Sequence, residues 1–219
     1  MIQAVGFDFD GVLVESTEMK TRAYAQLFKD EDQKTIQRIV QYHLNYEGIS
    51  RFEKIKVIYQ NILKRSLSKK KFQVLCEKFS DLVVNEVIDA PWVAGAKEFL
   101  MAKQNSYFFF VASGTPQEEL KEIIHRRGMT SFFDEIFGSP SAKDELIRRI
   151  IKKHTFLPSE IVFIGDAESD WEAAQKTGVN FIYRKCLVTS SLNDFSGPVI
   201  SSLCNLESCL NSLDKPWEI

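Results

Sequence analysis

Closely spaced cysteines and long hydrophobic runs are both missing from this chain. The longest apolar run, Tyr107 to Ala112, is about a third of the length that a membrane-spanning helix needs, so we expect no membrane partner. The cysteines contain no CxxC pair and no histidine at metal-ligand spacing, which argues against a zinc site or a redox pair. They are Cys76, Cys186, Cys204 and Cys209.

The chain also lacks a strong charge of either sign. Lys and Arg total 28 against 30 Asp and Glu, giving a formal net charge of −2. Such a balance offers no general attraction to a polyanion, so no nucleic acid partner is expected. Residues 1–14 carry no basic leader and are interrupted by Asp8 and Asp10, which argues against a secretion signal. We therefore expect a cytoplasmic protein, and a monomer because no separate apolar surface can be assigned.

Composition and length are those of an ordinary folded domain. The 219 residues are 44% hydrophobic and 26% charged, which excludes collagen-like, mucin-like and largely disordered chains. This length fits one domain, or one domain with an inserted module.

Short apolar runs alternate with amphipathic stretches over much of the chain. This alternation predicts an α/β fold: a Rossmann-like, three-layer α/β/α core around a parallel sheet. The predicted helices of the core are Gln117 to Arg127, Lys143 to His154 and Ser169 to Thr177. The predicted strands are Ile2 to Phe7, Tyr107 to Ala112, Glu135 to Phe137, Ile161 to Ile164 and Asn180 to Tyr183.

Residues 17–89 differ, because a 3.6-residue period runs through them without a convincing strand. We expect residues 17–89 to form an α-helical cap domain inserted into a core of residues 1–16 and 90–219. An insert that follows the first strand lies above the carboxyl edge of the sheet, where it can act as a lid. The predicted cap helices are Thr17 to Lys29, Gln33 to Leu44, Arg51 to Leu63 and Ser68 to Val87.

Two carboxylates follow the first strand, in the segment Asp8-Phe9-Asp10-Gly11. Residues at i and i+2 of a strand share a face, so both side chains can converge on one point. One carboxylate can then attack phosphorus while the other transfers protons, and a divalent ion would suppress their repulsion. The alternative interpretation is a turn whose acids only cap a helix.

Three later segments place more polar groups at strand ends. Asp166 and Asp170 follow the fourth strand one helical turn apart, so they can face the same ion. Ser113 and Gly114 follow the second strand where a helix begins, a position that favours anions, although Ser113 could also be a plain helix cap. Lys143 begins a helix, an unfavourable place for a cation unless an anion lies nearby.

Together these segments resemble the four motifs of the haloacid dehalogenase-like (HAD) superfamily. The motifs are a DxDGx[TV]L strand end, a Ser or Thr after a strand, a Lys, and an acidic GDxxxD segment. Here they are Asp8 to Leu13, Ser113, Lys143, and Gly165-Asp166 through Asp170. The resemblance covers the whole chain, includes the helical insert, and implies Mg²⁺-dependent phosphoryl transfer.

The resemblance also implies roles for these residues. Asp8 would form an aspartyl phosphate, and Asp10 would protonate the leaving oxygen and then activate water. Ser113, Gly114 and Lys143 would hold the transferring phosphoryl group. The Mg²⁺ ligands would be Asp8, the main-chain carbonyl of Asp10 and Asp166, with Asp170 contributing directly or through water. The function that follows is a phosphatase of a small phosphorylated metabolite, such as a sugar phosphate.

Three other functions share parts of this pattern. A β-phosphoglucomutase-like mutase is the main alternative, because Gly48-Ile49-Ser50-Arg51 resembles the cap segment of that family. However, Lys20 replaces a His, Pro116 replaces a Lys, and the fourth motif is GDxxxD instead of EDSxxG. A dehalogenase would need neither a metal nor the second acid of the pair. A non-catalytic binding protein is disfavoured because every acid is present.

Substrate selectivity is expected to come from basic residues of the cap. Arg51 ranks first, as a ligand for a second phosphate or a sugar hydroxyl, followed by Lys20, Lys54 and Arg22. The alternative for all four is a solvated helix face. The three histidines, His43, His125 and His154, are interpreted as surface or packing residues.

Overall fold

The computed structural model describes residues 1–186, 192 and 194–213, so part of the predicted core, which runs to residue 219, lies outside the described residues. Its centre is a parallel sheet with the strand order β3-β2-β1-β4-β5-β6. The strands are β1 (Ala4–Phe7), β2 (Phe108–Pro116), β3 (Glu135–Ser139), β4 (Ile161–Gly165), β5 (Asn180–Arg184) and β6 (Val199–Ile200).

Helices cover both faces of the sheet because both faces are apolar. In β2, Phe109 and Val111 are buried in one hydrophobic cluster, whereas Phe110 and Ala112 are buried in another on the opposite face. The first cluster includes residues of α5 (Ala96–Lys103), α6 (Gln117–Arg126) and α9 (Leu206–Leu213). The second includes residues of α7 (Lys143–His154) and α8 (Glu168–Thr177). The predicted three-layer α/β/α fold is confirmed.

The insert between β1 and β2 is helical, as its period predicts. Asp32, Ser50 and Ser68 each accept a hydrogen bond from a backbone N–H in the first turn, which explains where three of its helices begin. The third predicted helix is not continuous, because it changes from α to π geometry at Ile58. The insert contains α1 (Thr17–Leu27), α2 (Gln33–Asn45), α3 (Arg51–Val57), a π-helix (Ile58–Leu63) and α4 (Lys69–Asp89).

Backbone hydrogen bonds join the two crossings between insert and core. The N–H of Val93 donates to the carbonyl of Leu13 at 3.0 Å, and the N–H of Glu15 donates to the carbonyl of Pro91 at 2.9 Å. The two segments that connect the insert to the core therefore lie side by side. Treating residues 17–89 as a separate cap domain stays a prediction.

Several elements were not predicted from the sequence. Helix α5, helix α9 and the two-residue strand β6 were missed, and β2 continues to Pro116 instead of ending at Ala112. Pairing of β2 with β3 shifts register between Ala112 and Pro116. The backbone of residues 113–115 therefore leaves the regular ladder at the carboxyl edge of the sheet. Within the described ranges, no helix is long and apolar enough to cross a membrane.

Candidate active site

The segment after β1 forms a tight turn that brings Asp8 and Asp10 to the carboxyl edge of the sheet. The N–H of Gly11 donates to the carbonyl of Val14 at 2.8 Å, and Gly11 has a φ of +73°. A Cβ atom at Gly11 would lie 2.1 Å from Oδ2 of Asp166. Only glycine therefore fits between the first and fourth motifs.

Asp8 is buried and bonded on both of its carboxylate oxygens. The N–H of Phe9 donates to Oδ1 at 2.7 Å, and Nζ of Lys143 lies 2.9 Å from Oδ2. Burial raises the pKa of Asp8 to about 7, and the nearby Asp170 and Asp10 add to the rise while Lys143 opposes it. Asp8 therefore interacts with three charged neighbours: Lys143, Asp170 and Asp10.

Lys143 begins α7 and is held between two carboxylates. Its Nζ contacts both Asp8 and Asp170, and the ammonium side chain is 6% exposed. Burial alone would lower the pKa of Lys143, but Asp170 and Asp8 outweigh it and raise the pKa. A cation at the start of a helix needs an anion nearby, and for Lys143 the carboxylates of Asp8 and Asp170 are those anions.

Asp8, Asp166 and Asp170 form an acidic cluster. One carboxylate oxygen from each lies within 4.8 Å of the others, and all three residues are buried. Burial raises the pKa of Asp166 well above its usual range, and repulsion from Asp8 and Asp170 raises it further. A hard divalent cation with oxygen ligands would relieve this repulsion, so the donor set fits the expected metal.

The carboxylate of Asp10 is outside that cluster and faces the insert. Ser16 donates to its Oδ1 at 2.6 Å, Thr115 donates to its Oδ2 at 3.1 Å, and Nζ of Lys20 contacts the same Oδ2. Burial alone would raise the pKa of Asp10, but Lys20 and the two hydroxyls lower it. Asp10 is therefore held as a carboxylate, and its side chain lies apart from the cluster of Asp8, Asp166 and Asp170.

Ser113 and Gly114 lie where β2 leaves its ladder. Ser113 is buried, and its hydroxyl accepts a hydrogen bond from the N–H of Thr115 at 3.1 Å, so it is not the cap of α6, which is Pro116. A Cβ atom at Gly114 would lie 2.6 Å from the carbonyl oxygen of Gly48. Gly114 thus lies directly against the insert.

The turn at Gly48 packs the insert against the core. Gly48 has a φ of +77°, and a Cβ atom there would lie 2.2 Å from Oγ of Ser169 and 3.4 Å from Nζ of Lys143. Ser169 also donates to the carbonyl of Glu47 at 3.2 Å. Because a side chain at residue 48 would collide with the site, the close approach of insert and core depends on glycine.

A cavity with about 540 Å³ of empty space, partly open to solvent, lies between the insert and the core. Its core side includes Asp8, Asp10, Ser113, Gly114 and Asp166. Its cap side includes Lys20, His43, Glu47, Arg51 and Lys54.

The four cap candidates separate into three groups. Lys20 and Lys54 line the cavity, and Lys54 is buried with its Nζ 2.8 Å from Nδ1 of His43. Arg51 also lines the cavity, but its guanidinium is already paired with Glu119. Arg22, the last of the cap candidates for substrate contact, does not line this cavity: its side chain is 58% exposed and pairs with Glu18 and Glu86.

Sequence reasoning missed several residues of the site. His43, interpreted as a surface or packing residue, lines the cavity, as do Glu47 and Thr115. Arg184 ends β5 and donates to the carbonyl of Gly11 at 2.9 Å, so it supports the turn after β1. No short motif includes these residues, because the fold brings them together from distant parts of the chain.

We expect Lys20→Met to shift the pH dependence of turnover. Without the ammonium group, burial raises the pKa of Asp10, so Asp10 takes up a proton at higher pH and less of the base form is present. With p-nitrophenyl phosphate, whose leaving group needs no proton, the acid limb of the kcat profile should move to higher pH. At pH ~6 the rate should fall about tenfold. An unchanged acid limb would contradict the assignment of Lys20.

Comparisons with known proteins give two sequence matches that span most of the chain. The family model of haloacid dehalogenase-like hydrolases matches residues 5–183. A "Phosphorylated carbohydrates phosphatase" of Thermotoga maritima is 28% identical over 227 aligned positions, covering all of this chain and 96% of that protein.

Solved structures of other proteins share this fold. The β-phosphoglucomutase of Clostridium difficile matches with a TM-score of 0.75 and 19% identity, covering 98% of each chain. A variant of CbbY from Rhodobacter sphaeroides, in complex with xylulose 1,5-bisphosphate, has a TM-score of 0.75 and 17% identity. That match covers 94% of this chain and 96% of CbbY.

Proposed function

Because this chain belongs to the haloacid dehalogenase-like hydrolase family, we propose that it is a phosphatase of phosphorylated carbohydrates with Asp8 as its nucleophile. The observation that carries the proposal is the contact of Asp8 with Lys143 beside Asp166 and Asp170, where Asp8 and Asp166 line the cavity that the insert covers. The name of the Thermotoga maritima relative supports carbohydrates as the substrate class. In this proposal residues 17–89 are the cap over the core of residues 1–16 and 90–219.

The first step is attack by Asp8 on phosphorus, with departure of the sugar oxygen. The Lys143 ammonium, the Ser113 hydroxyl and the backbone of Gly114 hold the phosphoryl oxygens, which is the main task in phosphoryl transfer. Mg²⁺ bound by Asp8, Asp166, Asp170 and the main-chain carbonyl of Asp10 would supply further positive charge. Most of the catalytic effect then comes from positioning and charge neutralisation.

Asp10 transfers the protons in both steps. Lys20 holds Asp10 ionised in the described structure, and the negative charge of an arriving phosphate favours proton uptake by Asp10. Asp10 then protonates the departing sugar oxygen and, once ionised again, takes a proton from the water that attacks the aspartyl phosphate. The insert over the cavity limits the access of other water to this site.

Phosphate release by the purified protein with Mg²⁺ is the experiment that tests this function. The substrates are hexose and pentose monophosphates, sugar acid phosphates, nucleotides and p-nitrophenyl phosphate. We expect release from sugar phosphates, loss of activity on chelation with EDTA, and recovery on addition of Mg²⁺. Release that continues undiminished in EDTA would contradict the metal assignment.

The same experiment separates the phosphatase from the mutase. A mutase would release no phosphate and would convert a sugar 1-phosphate into the 6-phosphate when a sugar bisphosphate primes it. Lys20 contacts Asp10 where a mutase carries His, which favours the phosphatase. A cytoplasmic location and a monomeric state are part of the proposal, and size-exclusion chromatography tests the second.

A further inference from the structure

The cap side of the cavity contains a buried carboxylate that lacks a partner. Glu47 is 9% exposed, and neither oxygen of its carboxylate accepts a hydrogen bond from any described residue. Burial raises its pKa to about 7, and Lys54 opposes the rise. Burying a polar group without a partner destabilises a protein. Glu47 lines the cavity, so a ligand that enters it can provide the missing hydrogen bond.

Lys54 provides the opposite chemistry in the same cavity. Its Nζ lies 2.8 Å from Nδ1 of His43 and donates to the His43 carbonyl at 3.5 Å, which leaves one of its three N–H groups. Lys54 and Glu47 influence each other electrostatically, yet they form no ion pair in the described part of the chain. The cavity thus offers a donor and an acceptor that do not satisfy each other.

A hydroxyl group fits this pair better than a phosphate does. A hydroxyl donates one hydrogen bond and accepts others, so it can bond Glu47 and Lys54 together. A second phosphate would satisfy Lys54, but its negative charge would repel the ionised form of Glu47 and would force this group, whose pKa burial raises to about 7, to stay protonated. Like charges in a poorly solvated cavity repel strongly. The pair therefore favours an uncharged polyhydroxyl group over a second anion.

Arg51, the obvious ligand for a second phosphate, is already neutralised. Its guanidinium makes two hydrogen bonds to the carboxylate of Glu119, on α6 of the core, and one of 2.6 Å to the hydroxyl of Ser80. The side chains of Arg51 and Glu119 are 3% and 9% exposed. A buried, bidentate pair of this kind is not separated without a large loss of free energy.

We propose that Glu47 and Lys54 bind hydroxyl groups of the sugar, and that Arg51 does not bind a second phosphate because it is paired with Glu119. This enzyme therefore selects sugar monophosphates over bisphosphates. The inference rests on the proposed function, since it concerns the substrate of the same site. It makes Glu47 and Glu119 specificity-determining residues, and neither belongs to a family motif quoted above.

The test compares kcat/KM for four phosphate esters with Mg²⁺: glucose 6-phosphate, glucose 1,6-bisphosphate, hexyl phosphate and p-nitrophenyl phosphate. Hexyl phosphate matches the length of the sugar without its ring hydroxyls. We expect the wild-type protein to prefer glucose 6-phosphate over the bisphosphate and over hexyl phosphate, each by tenfold or more. For Glu47→Ala, the preference for glucose 6-phosphate over hexyl phosphate should fall at least tenfold, which is the loss of about one charged hydrogen bond.

Glu119→Gln tests the role of the Arg51 pair. Glutamine keeps the size of the side chain but removes its negative charge, so the positive charge of the Arg51 guanidinium is no longer neutralised. Use of the bisphosphate relative to glucose 6-phosphate should rise at least tenfold. Glu118→Gln is the matched control, because Glu118 is the preceding residue of α6 and its side chain is 86% exposed. The control should leave all four values unchanged.

Two results would overturn the inference while leaving the proposed function intact: equal use of mono- and bisphosphate by the wild-type protein, or an equal loss on all four esters in Glu47→Ala. If Glu119→Gln does not fold, these two measurements still decide the matter. No phosphate release from any ester, p-nitrophenyl phosphate included, would overturn the proposed function and this inference with it.

Discussion

Asp8→Asn should abolish phosphate release, lowering kcat for a sugar monophosphate by at least about 10⁴-fold. Asparagine has nearly the same shape as aspartate, but its amide is not a nucleophile toward phosphorus. The substitution also removes one of three buried acids whose repulsion raises the pKa of Asp8 and Asp166. Its thermal midpoint should therefore equal or exceed that of the wild-type protein.

Phosphate release with Mg²⁺ and thermal unfolding in EDTA, where no metal relieves the repulsion, check this result. Asp81→Asn is the control, because Asp81 is an exposed carboxylate on α4 and its loss should change neither measurement. Metal-dependent turnover at more than a hundredth of the wild-type rate in Asp8→Asn would remove Asp8 from the nucleophile role.

Asp10→Asn should have an effect that depends on the leaving group. A sugar oxygen is a poor leaving group and needs a proton, so formation of the phosphoenzyme from glucose 6-phosphate should slow by about 10²–10⁴-fold. The p-nitrophenolate ion leaves without a proton, so the same step with p-nitrophenyl phosphate should slow by less than about tenfold. Hydrolysis of the phosphoenzyme, which needs the base, should become rate-limiting.

A rapid-mixing experiment with p-nitrophenyl phosphate measures both steps. The variant should release a burst of nitrophenolate equal to the enzyme concentration, followed by a slow steady rate. Equal slowing for the two leaving groups, without a burst, would mean that Asp10 transfers no proton. The amide oxygen of the substituted side chain can still accept a hydrogen bond from Lys20 or Thr115, so these contacts need not be lost in the variant. Loss of the contacts alone would also not produce a burst that depends on the leaving group.

The alternation of apolar runs and amphipathic stretches predicted most of the fold, because the apolar residues of each strand or helix are the ones that it buries. The run Tyr107 to Ala112 places large side chains on both faces of β2, and both faces are covered in the structure. Helix α7 spans the predicted residues, since its apolar residues recur on one face and Lys143 begins it. The acids and Lys143 could be predicted together because strands in a parallel sheet end at one edge.

Long-range pairing explains most of what the sequence did not predict. Arg51 pairs with Glu119, 68 positions away, and nothing near either residue indicates the other. Glu47 and His43 enter the cavity through the packing of α2 and the Gly48 turn on the core, and no local periodicity encodes that packing. Strand β6 has only two residues, too few for an alternating pattern.

The insert connects catalysis with selectivity in this account. Lys20 reaches Asp10 from α1, and Gly48 brings its turn within contact distance of Ser169 and Gly114. Arg51 adds a buried ion pair from α3 to α6. In the proposed mechanism, this segment holds Asp10 as a carboxylate and supplies the groups that face the rest of the substrate.

Identification of the phosphorylated residue tests the nucleophile role of Asp8 directly. Asp10→Asn is mixed with p-nitrophenyl phosphate and Mg²⁺, quenched in acid during the burst, and analysed by peptide mass spectrometry. We expect a phosphoryl group on the peptide that contains Asp8, located at Asp8 by fragmentation and absent from the Asp8→Asn/Asp10→Asn double variant. A phosphoryl group on another residue, or a burst that survives in the double variant, would contradict the nucleophile role of Asp8.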